Sequence, residues 1–180
     1  LVDYYSYVAK ETSLPIIIYN VPSRTGMNIL PDTILEIHRQ APHVCCVKEA
    51  SGNISQIGSL ISKMPSSLTL YSGNDDQTLP ILALGGSGVI SVSSNVIPNE
   101  MKDLTNSFFS GDLLKAQQIN NKLNSILSAL FIETNPSPVK YAMSVQGICK
   151  NILRRPLVPI EESTQIILRN ELEKLGYTCR

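Results

Sequence analysis

Val44-Cys45-Cys46-Val47-Lys48-Glu49-Ala50-Ser51-Gly52-Asn53 is the stretch that decides the fold. Its first four residues are apolar without alternation, and they stop abruptly at a charged pair followed by turn-forming Ser, Gly and Asn. A short run that is apolar on successive residues reads as a strand covered on both faces. Three other runs share this form: Pro15-Ile16-Ile17-Ile18-Tyr19, Leu68-Thr69-Leu70-Tyr71-Ser72 and Gly88-Val89-Ile90-Ser91-Val92. They recur roughly every 20 to 30 residues, the interval that one strand, one helix and two short connections occupy.

Helical patterns fill the intervals. Residues 31 to 41 open on Pro31 and Asp32 and set Ile34, Leu35 and Ile37 on one side, a good helix start with an apolar stripe. Residues 53 to 64 place Ile54, Ile57, Leu60 and Ile61 at helical spacing. Residues 75 to 84 carry Pro80, which a helix tolerates only near its first turn. Strands alternating with helices at this period predict a parallel α/β sheet. Residues 1 to 12 read as a helix whose preceding strand is missing. After residue 97 only helices are expected: 98 to 109, 112 to 132 with an Ile119, Leu123, Ile126, Leu127, Leu130 stripe, 138 to 146, and 161 to 175 ended by Gly176.

Bulk composition excludes several classes of function. At 180 residues, with 43% hydrophobic and 17% charged, the chain is expected to build one sizeable globular core. Fifteen basic residues balance fifteen acidic ones, and no basic block points to nucleic acid or an anionic membrane. No apolar run approaches the roughly 20 residues of a membrane span. Leu1 is followed by Asp3, Tyr4 and Tyr5, which is no secretory leader, so a cytoplasmic location is expected. The missing initiator Met predicts that the chain begins inside a longer one. Cys45, Cys46, Cys149 and Cys179 lack metal-ligand or bridge-forming spacing and read as reduced thiols. His38 and His43 have no ligand partners at metal spacing, so surface or packing roles are expected for both.

In parallel α/β proteins reactive groups gather where strands end. Here each apolar run does stop at polar residues: Tyr19-Asn20, Lys48-Glu49, Ser72-Gly73-Asn74-Asp75 and Ser91-Ser93-Asn95. Lys48 shares a strand face with Val44 and Cys46. Desolvation there would raise the free-amine fraction, as imine chemistry needs. The plainer alternatives are an ion pair with Glu49 or a head turned to water. Tyr19-Asn20-Val21-Pro22-Ser23-Arg24-Thr25-Gly26 joins a phenol, suited to proton relay if buried, to a guanidinium that matches a carboxylate. Tyr19 as core and Arg24 as surface remain open. Gly85-Gly86-Ser87-Gly88 precedes a strand instead of opening a helix, so it is expected to make a tight turn and not a phosphate loop.

These motifs, in this order and joined by Glu133-Thr134-Asn135-Pro136-Ser137-Pro138-Val139-Lys140, resemble the dihydrodipicolinate synthase family of pyruvate-dependent Schiff-base aldolases over essentially the whole chain. The resemblance implies the second half of a TIM (β/α)8 barrel in residues 1 to 110 and a helical C-terminal extension in 111 to 180. It implies condensation of pyruvate with L-aspartate 4-semialdehyde to 4-hydroxy-tetrahydrodipicolinate, in lysine and diaminopimelate biosynthesis. On that resemblance Lys48 forms the imine and Tyr19 relays protons, and no metal or organic cofactor is implied because the lysine itself anchors the substrate. Arg24 meets the aldehyde substrate's carboxylate, and the Ile90 backbone carbonyl contacts pyruvate. A homodimer or homotetramer is implied for the full-length enzyme. The family's first four strands, its pyruvate-holding threonines and its lysine-inhibition sites have no counterpart in these residues, so the 180 residues alone are expected to be weak or inactive. Tyr4 and Tyr5 belong to the first helix and do not replace the tyrosine the family contributes across its dimer interface. The alternatives are a sister aldolase, such as N-acetylneuraminate lyase or a 2-keto-3-deoxy-sugar aldolase, or an inactive half-barrel. Arg24 in its Ser-Arg-Thr-Gly setting favours the small carboxylated aldehyde.

Overall fold

In the computed structural model, which describes residues 1 to 180, four strands form one parallel sheet. They are β1 (Ile16–Asn20), β2 (Val44–Glu49), β3 (Thr69–Ser72) and β4 (Gly88–Val89), hydrogen-bonded in sequence order. Helices α1 (Val2–Lys10), α2 (Pro22–Thr25), α3 (Pro31–Gln40), α4 (Ile54–Lys63) and α5 (Thr78–Leu84) complete a first compact unit, Leu1–Ser91. This is the α/β architecture that the strand spacing predicts. Each parallel step is bridged by a helix, as parallel neighbours require.

One face of the sheet is sealed by helices. Ile18, Val47 and Leu70 point to that side from three adjacent strands and are fully buried. Ile34 and Ile37 of α3, Ile57 and Leu60 of α4 and Ile81 of α5 close over them in one apolar cluster. His38 belongs to this packing: its ring nitrogens lie 2.8 Å from the Val44 carbonyl and 2.8 Å from the Ser67 hydroxyl. The opposite face is different, with Ile17 50% and Tyr19 44% exposed. The expectation of strands covered on both faces therefore fails on β1, while in β2 Cys46, the register partner of Ile17, is 5% exposed.

Asn53 caps α4 by accepting from the Gln56 N–H at 3.0 Å, which fixes where the polar turn after β2 becomes helix. Pro80 falls in the first turn of α5, where its missing N–H costs little. The expected fourth strand, residues 88 to 92, shrinks to two residues before the backbone turns away. The glycine run acts as a tight turn: a Cβ at Gly86 would stand 2.7 Å from the Ile81 Cγ2. α2 is an element that the Pro22 and Gly26 loop signals did not predict.

The second unit, Val92–Arg180, is helical throughout. It contains α6 (Pro98–Phe109), α7 (Leu113–Ala129), α8 (Ser137–Val145) and α9 (Glu162–Lys174). The α7 stripe is buried at Leu123, Ile126 and Leu127, as its spacing predicts, and Asp112 caps the helix. The C-terminal tail is tied down within this unit. Tyr177 donates to Glu100 Oε2 at 2.7 Å, and the Arg180 N–H donates to the Val145 carbonyl at 2.7 Å. No helix is long and apolar enough to cross a membrane.

Candidate active site at the strand ends

Parallel register brings the candidate residues together. Tyr19, Lys48, Tyr71 and Gly88 are Cα partners in one row across the four strands. Asn20, Glu49, Ser72 and Val89 form the next row toward the carboxyl ends. Because successive side chains alternate faces, the first row stands on the open face and Asn20, Glu49 and Ser72 turn toward the helices. Lys48 and Tyr19 thus meet as neighbours although 29 residues apart, and the Lys48 Nζ sits 4.2 Å from the Tyr19 ring centroid. That is a cation–π distance, worth about 0.5–1 kcal/mol at a partly exposed site.

Lys48 is half-buried. The alternative of an ion pair with Glu49 is excluded, because Glu49 points to the opposite face and takes part in no salt bridge. Tyr19, for which a core position was left open, is 44% exposed. Arg24 lies on the exposed side of α2, and no carboxylate pairs with it. Its loop leaves β1 immediately after Tyr19 and Asn20. Ile90 follows β4, its N–H donating to the Ser72 carbonyl at 2.9 Å, which holds the chain beside the end of β3.

Behind the open-face row lies a polar cluster that the motifs alone did not assign. Glu49 and Asn20 are each 1% exposed. The Asn20 Nδ2 donates to both Glu49 oxygens, at 3.2 and 3.0 Å, and the Ser51 N–H donates to Glu49 Oε1 at 2.6 Å. The signal was present as parity: if Lys48 faces the site, its neighbour Glu49 must face the packed side, where a carboxylate needs a donor. The donor is its register partner.

The strand ends also approach closely. The Gly73 N–H donates to the Glu49 carbonyl at 2.7 Å, and a Cβ at Gly73 would stand 2.7 Å from the Ala50 Cβ and 3.0 Å from the Glu49 oxygen. Gly73→Ala is therefore expected to lower stability by about 1–3 kcal/mol, since backbone must shift to admit the methyl group. Urea unfolding measures this, and adding Ala50→Gly recovers part of the loss by removing the nearer obstacle. No group of three or more His, Cys, Asp or Glu side chains is placed to hold a metal ion.

Residues 1–175 match the family model described as "Dihydrodipicolinate synthetase family". The chain is 46% identical over 176 residues to the 4-hydroxy-tetrahydrodipicolinate synthase of Thermoanaerobacter sp. (strain X514), covering 98% of this chain and 59% of that protein. It is 47% identical to the enzyme of the same name from Thermotoga neapolitana, covering 98% of this chain and 61% of that protein. The crystal structure of dihydrodipicolinate synthase from Thermotoga maritima superposes with a TM-score of 0.95 at 44% identity, over 97% of this chain and 60% of that one. The chain thus spans about three-fifths of the length of the relatives it matches.

Proposed function

The chain belongs to the dihydrodipicolinate synthetase family, and from that premise we propose that it carries the imine-forming half of a lyase that condenses pyruvate with L-aspartate 4-semialdehyde. The observation that supports this most is the Lys48 amine 4.2 Å from the Tyr19 ring on the open face at the strand ends. The four strands and their helices correspond to the second half of the family's (β/α)8 barrel. On the same proposal, residues 1 to 110 supply the barrel half and residues 111 to 180 a helical C-terminal extension.

In the proposed reaction the neutral Lys48 Nζ adds to C2 of pyruvate, and the carbinolamine loses water to give an imine. Loss of a C3 proton gives an enamine, whose C3 attacks the aldehyde carbon of the semialdehyde. The new alkoxide takes a proton. The substrate's amine then adds to C2 and expels Lys48, closing the ring of 4-hydroxy-tetrahydrodipicolinate and restoring the free amine. Tyr19 moves the protons that the dehydration and the alkoxide require; its place in the Lys48 row suits that task. Arg24, with no internal carboxylate partner, offers its planar fork to the semialdehyde's carboxylate. The Ile90 carbonyl contacts pyruvate from the end of β4. Lysine and diaminopimelate biosynthesis is the pathway, and the cytoplasm the compartment. Four free cysteines agree with a reducing setting. In the full-length enzyme the assembly is a homodimer or homotetramer.

The test is chemical trapping. The folded full-length parent protein is incubated with saturating pyruvate and reduced with borohydride, and the peptide containing Lys48 is weighed. A reduced pyruvyl adduct on Lys48 is expected, and adding L-aspartate 4-semialdehyde before the reductant should deplete it where sugar aldehydes do not. A folded full-length parent protein with no adduct on Lys48 contradicts the proposal.

A further inference from the structure

A carboxylate buried without a cation is costly, and removing its donors costs more still. Glu49 is such a group: 1% exposed, in no ion pair, and bonded only to the Asn20 amide and the Ser51 N–H. What it holds in place is informative. The Asn20 amide faces Glu49 on one side, and on the other it donates to Asn28 Oδ1 at 3.0 Å and to the Ile29 carbonyl at 3.4 Å. Its Oδ1 accepts from the Ile29 N–H at 2.9 Å. The segment from Val21 to Asn28, which includes α2 and Arg24, therefore leaves β1 at Asn20 and returns to the same side chain. Asn28 is gripped again from α4, where the Gln56 Nε2 donates to its Oδ1 at 3.1 Å and Gln56 Oε1 accepts from its Nδ2 at 2.8 Å.

The geometry points to Asn20 and Glu49 as a positioning pair that fixes the Arg24 loop, and through it the site for the aldehyde substrate's carboxylate; this rests on the function proposed above. The buried charge explains the polarity of the arrangement. Both Glu49 oxygens accept, so the Asn20 amide can present only its nitrogen to them, which leaves its oxygen for the Ile29 N–H. A neutral partner at 49 would allow the amide to turn and release the loop. Neither residue reaches the open face, so neither touches substrate.

The exchange of charge between the two positions makes the test. Asn20→Asp sets two carboxylates against each other in a buried site. The double variant Asn20→Asp/Glu49→Gln restores a donor at 49, an acceptor for the Ile29 N–H at 20 and an acceptor for the Ser51 N–H. Trypsin cleaves after Arg24 in the loop and after Lys63 at the end of α4, which serves as the internal reference. Asn20→Asp is expected to speed cleavage at Arg24 relative to Lys63 by about tenfold or more, and the double variant to return it part of the way to wild type, since an aspartate at 20 still cannot donate to Asn28 Oδ1 or the Ile29 carbonyl. In the trapping assay Asn20→Asp should leave the pyruvate half-saturation unchanged. The semialdehyde concentration that consumes half the Lys48 adduct should rise about tenfold, the loss of one charge-assisted contact. The inference is overturned if Arg24 cleavage is unmoved, if Arg24 and Lys63 accelerate in step, or if the double variant is no better than the single. A wild-type full-length parent that traps no pyruvate removes the proposed function. The proteolysis ratios still decide whether this pair holds the loop.

Discussion

Lys48→Ala is expected to abolish covalent capture of pyruvate, leaving no borohydride-stable mass increment on the peptide that spans β2. Turnover, where the complete fold supports it, should fall at least about a thousandfold, because removing a covalent nucleophile removes the whole route and not one contribution to it. The folding cost of the same change is small. Lys48 is only half-buried, and its visible partner is the Tyr19 ring, an interaction worth about 0.5–1 kcal/mol. The chemical effect therefore dominates. Lys48→Arg separates the two: it keeps a cation over the ring, but a guanidinium does not deprotonate to attack a carbonyl. Trapping should be lost in both variants, with urea midpoints close to wild type.

The largest expected effect on stability lies on the other face of the sheet. Leu70 is fully buried in the middle of β3, within the cluster formed with Ile57, Leu60 and Ile81. Leu70→Ala removes buried methyl groups where three elements converge and leaves a cavity that strands pinned by parallel hydrogen bonds cannot collapse around. A loss of about 3–4 kcal/mol is expected, read as a drop in the urea midpoint at unchanged slope. Leu84 at the end of α5 is 39% exposed, and Leu84→Ala should cost well under half as much. Similar losses at the two positions would mean that the apolar cluster is not the core of the first unit.

How much of this was legible beforehand depends on whether the deciding physics is local. The β2 run announced its strand because Val44 to Val47 has no helical or amphipathic period, and α3, α4 and α7 announced themselves by their stripes. Lys48 and Arg24 were visible as chemistry because each follows an apolar run at a strand end. Contacts made by pairing were not visible. The cation–π approach of Lys48 to Tyr19 and the bond of Asn20 to Glu49 both arise from one register, Tyr19 opposite Lys48 and Asn20 opposite Glu49. No local pattern states a register. Glu49 looked like a possible partner for Lys48 because the two are adjacent in sequence, yet adjacency on a strand places them on opposite faces. The exposure of Tyr19 was open for a related reason: an apolar run indicates that both faces are covered in the whole fold, and cannot say which layer covers each. β4 was overestimated because Ile90 and Val92 are β-favouring residues, while the backbone there leaves the sheet after Val89.

A crystal structure of the chain reduced in the presence of pyruvate tests the account most directly. Continuous electron density is expected from the Lys48 Nζ to C2 of the bound keto acid, with the Tyr19 phenol and the Ile90 carbonyl beside it and the Asn20–Glu49 contacts intact. Pyruvate bound elsewhere, or an unmodified Lys48 turned away from Tyr19 while another amine carries the adduct, would contradict it.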